Sequence, residues 1–143
     1  MSVNVLYTTG ATATGGREGT AKTVDGILDV ALVKPKELGG TGKPGVNPEH
    51  LFAAGYAACF LGAMKFVTSQ KQSDVKITDE TTVTSSVGIG PRAEGGFGLE
   101  VSLEISVPGA DKAAVEDLVE KAHQVCPYSN ATRNNLDVKL SVA

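Results

Sequence analysis

The 143-residue sequence has no tryptophan, only two cysteines and two histidines, and 5% aromatic residues. A fold stapled by several disulfides is therefore excluded. A chain of this length buries roughly 70% of the surface its unfolded form exposes, so its core stands without bridges or a structural metal, and the thiols are free for chemistry. Clustered Lys and Arg are also missing, and 13 basic against 16 acidic residues leave a formal net charge of −3. That balance excludes a nucleic-acid footprint, which needs a basic face. Residues 1–9 lack the basic start and apolar run of a secretory signal, which predicts a cytoplasmic protein in a reducing compartment. Disulfides there are transient and catalytic if they form. The unbroken run Leu51–Met64, 14 apolar or glycine residues, is too short to span a bilayer and predicts a buried core helix instead. With 41% apolar and 20% charged residues, the chain reads as one soluble globular domain over 1–143.

Alternation at Val3, Val5 and Tyr7, continued by the Thr-rich stretch Thr8–Thr14, predicts a first strand. Gly15 and Gly16 then turn the chain. Arg17–Val24 and Leu28–Val33 flank Asp25-Gly26, a pair that accepts the positive φ angles of a tight hairpin. The glycine-rich stretch Lys34–Val46 is a long loop of the kind that often serves function. Asn47-Pro48-Glu49 predicts a helix start, with an N-cap, a proline in the first turn and a carboxylate suited to the dipole. The helix should run to about Gln70, and its many Ala and Gly residues let neighbours approach on several sides. Strands are expected over Val75–Ile89 and Phe97–Val107. Asp111 caps a second helix with apolar residues Ala114, Val115, Leu118, Val119, Ala122 and Val125 at helical spacing, ending at Cys126 because Pro127 disfavours helix before it. Leu136, Val138, Leu140 and Val142 close on a last strand. Hairpins without βαβ alternation predict an α+β fold of antiparallel sheets around a long central helix.

Two apparent motifs carry nothing. Gly39–Pro44 lacks the first glycine and the hydroxyl of a phosphate loop, and the acceptor pattern at Asn130-Ala131-Thr132 has no use without secretion. His50, His123, Cys59 and Cys126 could in number hold a metal, but none is paired at the compact spacing of structural zinc sites. No metal and no cofactor are therefore expected. Cys59 lies among Phe52, Tyr56, Phe60 and Met64, either as a small buried hydrophobe or as a nucleophile. The second role needs a nearby cation, because the thiolate is the reactive form. Arg17 is the candidate, unless it is a solvated edge residue. Glu49 fits the helix dipole by itself. Ten residues before Cys59, it lies about 15 Å away along the axis and roughly 80° off its face. If both serve one site, a two-fold-related helix supplies the second, and the site lies at a homodimer interface. Cys126 is either a buried cap or a partner for Cys59.

The segments Asn47–Phe60 (NPEHLFAAGYAACF) and His123–Arg133 (HQVCPYSNATR), with Gly-Gly-Arg17-Glu-Gly near the start, resemble the signatures of the organic hydroperoxide resistance branch of the OsmC/Ohr family. His50 stands where that branch usually has Gln, and Asn134 where it has Gly. The resemblance implies an intertwined homodimeric thiol peroxidase reducing alkyl and fatty-acid hydroperoxides. It implies that Cys59 is the peroxidatic thiol and Cys126 the resolving one, that Arg17 and Glu49 form an orienting polar pair, and that dihydrolipoamide on lipoylated proteins is the reductant. Phe52, Tyr56, Phe60 and Met64 would line an apolar substrate site. Alternatives are an enzyme of the broader OsmC branch, or a non-catalytic redox sensor or apolar-ligand binder.

Overall fold

The computed structural model describes residues 2–143, and the chain divides into two compact units, 1–51 and 52–143. In the first, β1 (Ala11–Thr14), β2 (Thr20–Thr23) and β3 (Asp29–Ala31) form an antiparallel sheet in that order. The β2–β3 connection is tied by Asp25, whose Oδ1 accepts from the Ile27 N–H at 3.0 Å and the Thr23 hydroxyl at 2.6 Å. Gly26 takes the left-handed φ of 77° that the turn needs.

Two expectations for this unit are corrected. Residues 2–10 join no strand, because alternation marks two faces but supplies no partner, and the β1–β2 ladder starts only at Ala11↔Thr23. Val3, Val5, Leu6 and Tyr7 are left exposed. Arg17 does not begin a strand. It sits in a one-turn 3-10 helix, Gly16–Glu18, entered through left-handed Gly15 and Gly16.

The helix α1 (Pro48–Ser69) opens with a reciprocal cap: Asn47 Oδ1 accepts from the His50 N–H at 2.9 Å, and His50 Nδ1 accepts from the Asn47 N–H at 3.0 Å. His50 thus fills the accepting role that Glu or Gln has in a capping box. At 22 residues, α1 is by length and composition alone long enough to cross a membrane, unlike the shorter apolar run read from the sequence. The long apolar side chains Tyr56, Phe60, Met64 and Val67, however, are fully buried in protein core.

In the second unit, β4 (Thr82–Pro91) and β5 (Phe97–Ser106) form a ten-residue antiparallel hairpin, and β6 (Val138–Val142) adds to β5. Here the prediction of a purely antiparallel sheet fails: β6 runs parallel to β5, from Val101↔Val138 to Ile105↔Val142. The connection between them carries helices, which is what a parallel crossover requires. Residues 75–77 lie outside β4, and Val75 is apolar because it packs in the core rather than pairs in a ladder. The second helix, α2 (Lys112–Val125), is capped by Asp111 Oδ2, which accepts from the Ala114 N–H at 3.0 Å. A short α3 (Pro127–Thr132), absent from the sequence-based expectation, follows at once with Pro127 in its first turn.

The core of this unit joins one face of α1 (Tyr56, Phe60, Ala63, Met64, Val67) to Val101, Leu103 and Ile105 of β5 and to Val115, Leu118, Val119 and Ala122 of α2. Alternation places Glu100 and Glu104 of β5 on the opposite, solvent side.

Candidate active site

Two groupings of polar and reactive residues occur, one in each unit. In the first unit the Arg17 guanidinium donates two parallel hydrogen bonds of the fork type to the Glu49 carboxylate, Nη1 to Oε2 and Nη2 to Oε1, both at 2.8 Å. Such planar pairing fixes orientation as well as charge. The glycine turn positions Arg17, and the first turn of α1 positions Glu49. Hydrogen bonding from Arg17 holds the Glu49 carboxyl below the usual range, against the effect of burial. The same bond holds the guanidinium above its ordinary value. For Glu49 the sign is that of a depressed acid. Its contribution to stability is complete above the ordinary carboxyl value of about 4.3 and is lost as pH falls through the lowered folded value.

In the second unit, Cys59 and Cys126 are both free thiols, and their sulfurs lie 3.5 Å apart, within reach of a thiol hydrogen bond. A disulfide is about 2.05 Å long, so a movement of roughly 1.5 Å separates contact from bond. Cys59 is half-buried on α1 and Cys126 fully buried. Cys126 closes α2 and opens α3 with extended dihedrals, φ −65° and ψ 122°, as a residue before proline must. Burial pushes the Cys59 thiol above its ordinary value, the Tyr128 backbone pulls it back, and the neighbouring Cys126 thiol pushes it up again. The expectation of a thiol lowered by a cation is thus not met among the groups acting on it here, because burial disfavours the charged form.

Of the four residues expected to line an apolar site, Tyr56, Phe60 and Met64 have no exposed surface and form core, while Phe52 is partly buried. These three lie on the face of α1 turned inward, whereas Phe66 on the same helix is exposed. A residue not singled out from the sequence takes part as well: Tyr128, 41% exposed, whose ring lies 5.7 Å from Tyr56 and 6.4 Å from Phe52. Gly55 makes room for it, since a Cβ there would meet the Tyr128 hydroxyl at 2.9 Å. The usable signal was the tyrosine directly after Cys126-Pro127. Asn134, the other departure from the signature, holds φ 64°, a left-handed position that Asn tolerates better than most non-glycine residues. Among the described residues, no three His, Cys, Asp or Glu are grouped to hold a metal ion.

An α+β chain with paired thiols at a helix boundary defines the class, and comparison with known proteins supplies the family. The OsmC-like protein family model matches residues 40–141. An organic hydroperoxide resistance protein of Xanthomonas axonopodis pv. citri is 61% identical over 139 residues, covering 97% of this chain and 96% of that protein. The crystal structure of an organic hydroperoxide resistance protein from Elizabethkingia anophelis matches with a TM-score of 0.89 at 53% identity over 99% of both chains. That of OhrB from Bacillus subtilis matches with 0.86 at 39% identity, over 97% of this chain and 100% of the other. The chain belongs to the OsmC/Ohr family.

Proposed function

We propose that this protein is a thiol peroxidase that reduces organic hydroperoxides to alcohols, with Cys59 as the attacking sulfur and Cys126 as the resolving one. The observation that carries the reading is the 3.5 Å approach of two free thiols 67 residues apart in sequence. The names of the relatives at 61% and 53% identity support the substrate class. The Cys59 thiolate attacks the terminal oxygen of ROOH, the O–O bond breaks, and the alkoxide takes a proton to leave as ROH. Cys59 is then a sulfenic acid. The Cys126 sulfur displaces its hydroxyl, which leaves as water with the Cys126 proton, and the disulfide forms. A dithiol such as dihydrolipoamide, free or on a lipoylated protein, reopens it by exchange.

Arg17 and Glu49 enter this reading through a second copy of the chain. The ten-residue offset along α1 keeps Glu49 from the Cys59 of its own helix, so the pair of one copy serves the thiols of the other. The first unit supports a homodimer: β1 is exposed along its length, and Val3, Leu6, Tyr7 and Ile27 are between 74% and 93% exposed. Apolar surface of that extent marks an interface. In the assembled site the guanidinium opposes the effect of burial on Cys59 and steadies charge moving onto the leaving oxygen. Phe52 and Tyr128 offer the apolar contact that an alkyl or lipid peroxide gains from and hydrogen peroxide does not.

Steady-state consumption of cumene hydroperoxide with dihydrolipoamide tests the proposal. Many turnovers per chain are expected, whereas a redox sensor reacts once and stops. For Arg17→Ala, alkylation of Cys59 at neutral pH should be roughly tenfold slower, because the thiolate loses its cation. An unchanged alkylation profile removes Arg17 from the mechanism.

A further inference from the structure

Beside the two thiols runs a line of four polar side chains that the peroxidase mechanism does not use. His123 Nδ1 lies 2.8 Å from the Ser129 hydroxyl, which lies 2.9 Å from the Tyr56 hydroxyl, which lies 3.2 Å from the Thr132 hydroxyl. Thr132 in turn donates to the Ser129 carbonyl at 3.2 Å. Tyr56 and Ser129 have no exposed surface, and Thr132 is 8% exposed. Buried hydroxyls are costly unless bonded, and here each is bonded on both sides.

Counting protons orients the line. The single hydroxyl proton of Thr132 goes to the Ser129 carbonyl, so Tyr56 must donate to Thr132. The proton of Tyr56 being used, Ser129 donates to Tyr56. Ser129 can then only accept from His123, which requires the proton on Nδ1. The chain runs head to tail from the imidazole to a backbone carbonyl, an arrangement in which successive bonds strengthen one another.

Three of its four members sit one helical turn from a reacting sulfur along the chain. Tyr56 precedes Cys59 by three residues on α1, while His123 precedes and Ser129 follows Cys126 by three. The turn carrying Cys126 is held from both sides, and held to the helix carrying Cys59. Arg133 adds a strap, donating to the Asn130 side chain at 2.6 Å and to the His123 carbonyl. We propose that the His123–Ser129–Tyr56–Thr132 chain is a positioning device for the resolving step, holding Cys126 at the distance and angle from which it closes on Cys59. The inference rests on the peroxidase reading but concerns the second step alone. Ser129, His123 and Thr132 are positioning residues, because they act on the sulfur through the backbone turn and touch no reacting atom.

The two steps separate when reduced protein meets one equivalent of cumene hydroperoxide and is quenched at intervals, with sulfenic, disulfide and sulfinic forms counted by mass. Ser129→Ala, which removes both hydrogen bonds of that hydroxyl, should form the sulfenic acid within about twofold of the wild-type rate and close the disulfide about tenfold more slowly. More sulfinic product should accumulate. Should Ser129→Ala fold poorly, Thr132→Val, which keeps the shape and removes the hydroxyl, should slow closure roughly threefold, with Thr132→Ser restoring it. Closure at the wild-type rate in a folded variant lacking either hydroxyl overturns the inference, as does equal slowing of both steps. If the wild-type protein itself never forms the Cys59–Cys126 bond, the peroxidase reading fails, and the inference with it. Nitrogen chemical shifts should find His123 protonated on Nδ1, and the opposite tautomer contradicts the head-to-tail order.

Discussion

Replacing Cys59 by serine should abolish catalysed hydroperoxide reduction, lowering kcat/KM by about 10³-fold or more, the scale on which loss of a catalytic nucleophile is felt. A serine hydroxyl stays protonated at neutral pH and is a poor nucleophile toward a peroxide oxygen beside a polarisable thiolate, and Cys126 is too buried to substitute for it. The fold should survive, since Ser is close in size and the position is only half-buried. A rapid assay of cumene hydroperoxide loss checks this. Turnover by Cys59→Ser at the wild-type rate ends the proposed mechanism.

Cys126→Ser should behave differently. The first oxidation does not need the second thiol, so about one equivalent of peroxide should be consumed at close to the normal rate. With no neighbouring sulfur 3.5 Å away, the sulfenic acid waits for a second peroxide and advances to the irreversible sulfinic acid. Turnover with dihydrolipoamide should fall by roughly tenfold or more as enzyme is lost on each cycle. Undiminished turnover over many cycles shows that Cys126 does not resolve.

Much of the fold was legible in short stretches whose causes are local. Asn47-Pro48-Glu49 marks the start of α1, and Asp111 the start of α2, because caps act within three residues. The alternation of β5 marks its buried face, Val101, Leu103 and Ile105. The direction of β6 was not legible, since alternation reads the same for parallel and antiparallel pairing, and only the helical crossover decides. Residues 2–10 carry a strand's pattern but find no partner within their own chain. The six residues of α3 are too few to show a helical period.

At the site, composition and motif pointed to both thiols, to Arg17 and to Glu49. The fork between Arg17 and Glu49, and the 3.5 Å between the sulfurs, are tertiary facts that no spacing encodes. Tyr128 and the Ser129 hydroxyl escaped notice for the same reason: both meet Tyr56, which is more than 70 residues distant along the chain. The two departures from the family signature were visible but not their meaning. His50 keeps the cap of α1 by accepting through Nδ1, and Asn134 keeps a left-handed turn, so both preserve local geometry with different chemistry.

Peptide mapping after a single equivalent of cumene hydroperoxide tests the central claim most directly. Every chain should lose two hydrogens, and the peptide containing Cys59 should be found joined to the peptide containing Cys126 of the same chain. Recovery of Cys126 as a free thiol beside an oxidised Cys59, or of bridges only between separate chains, contradicts the account.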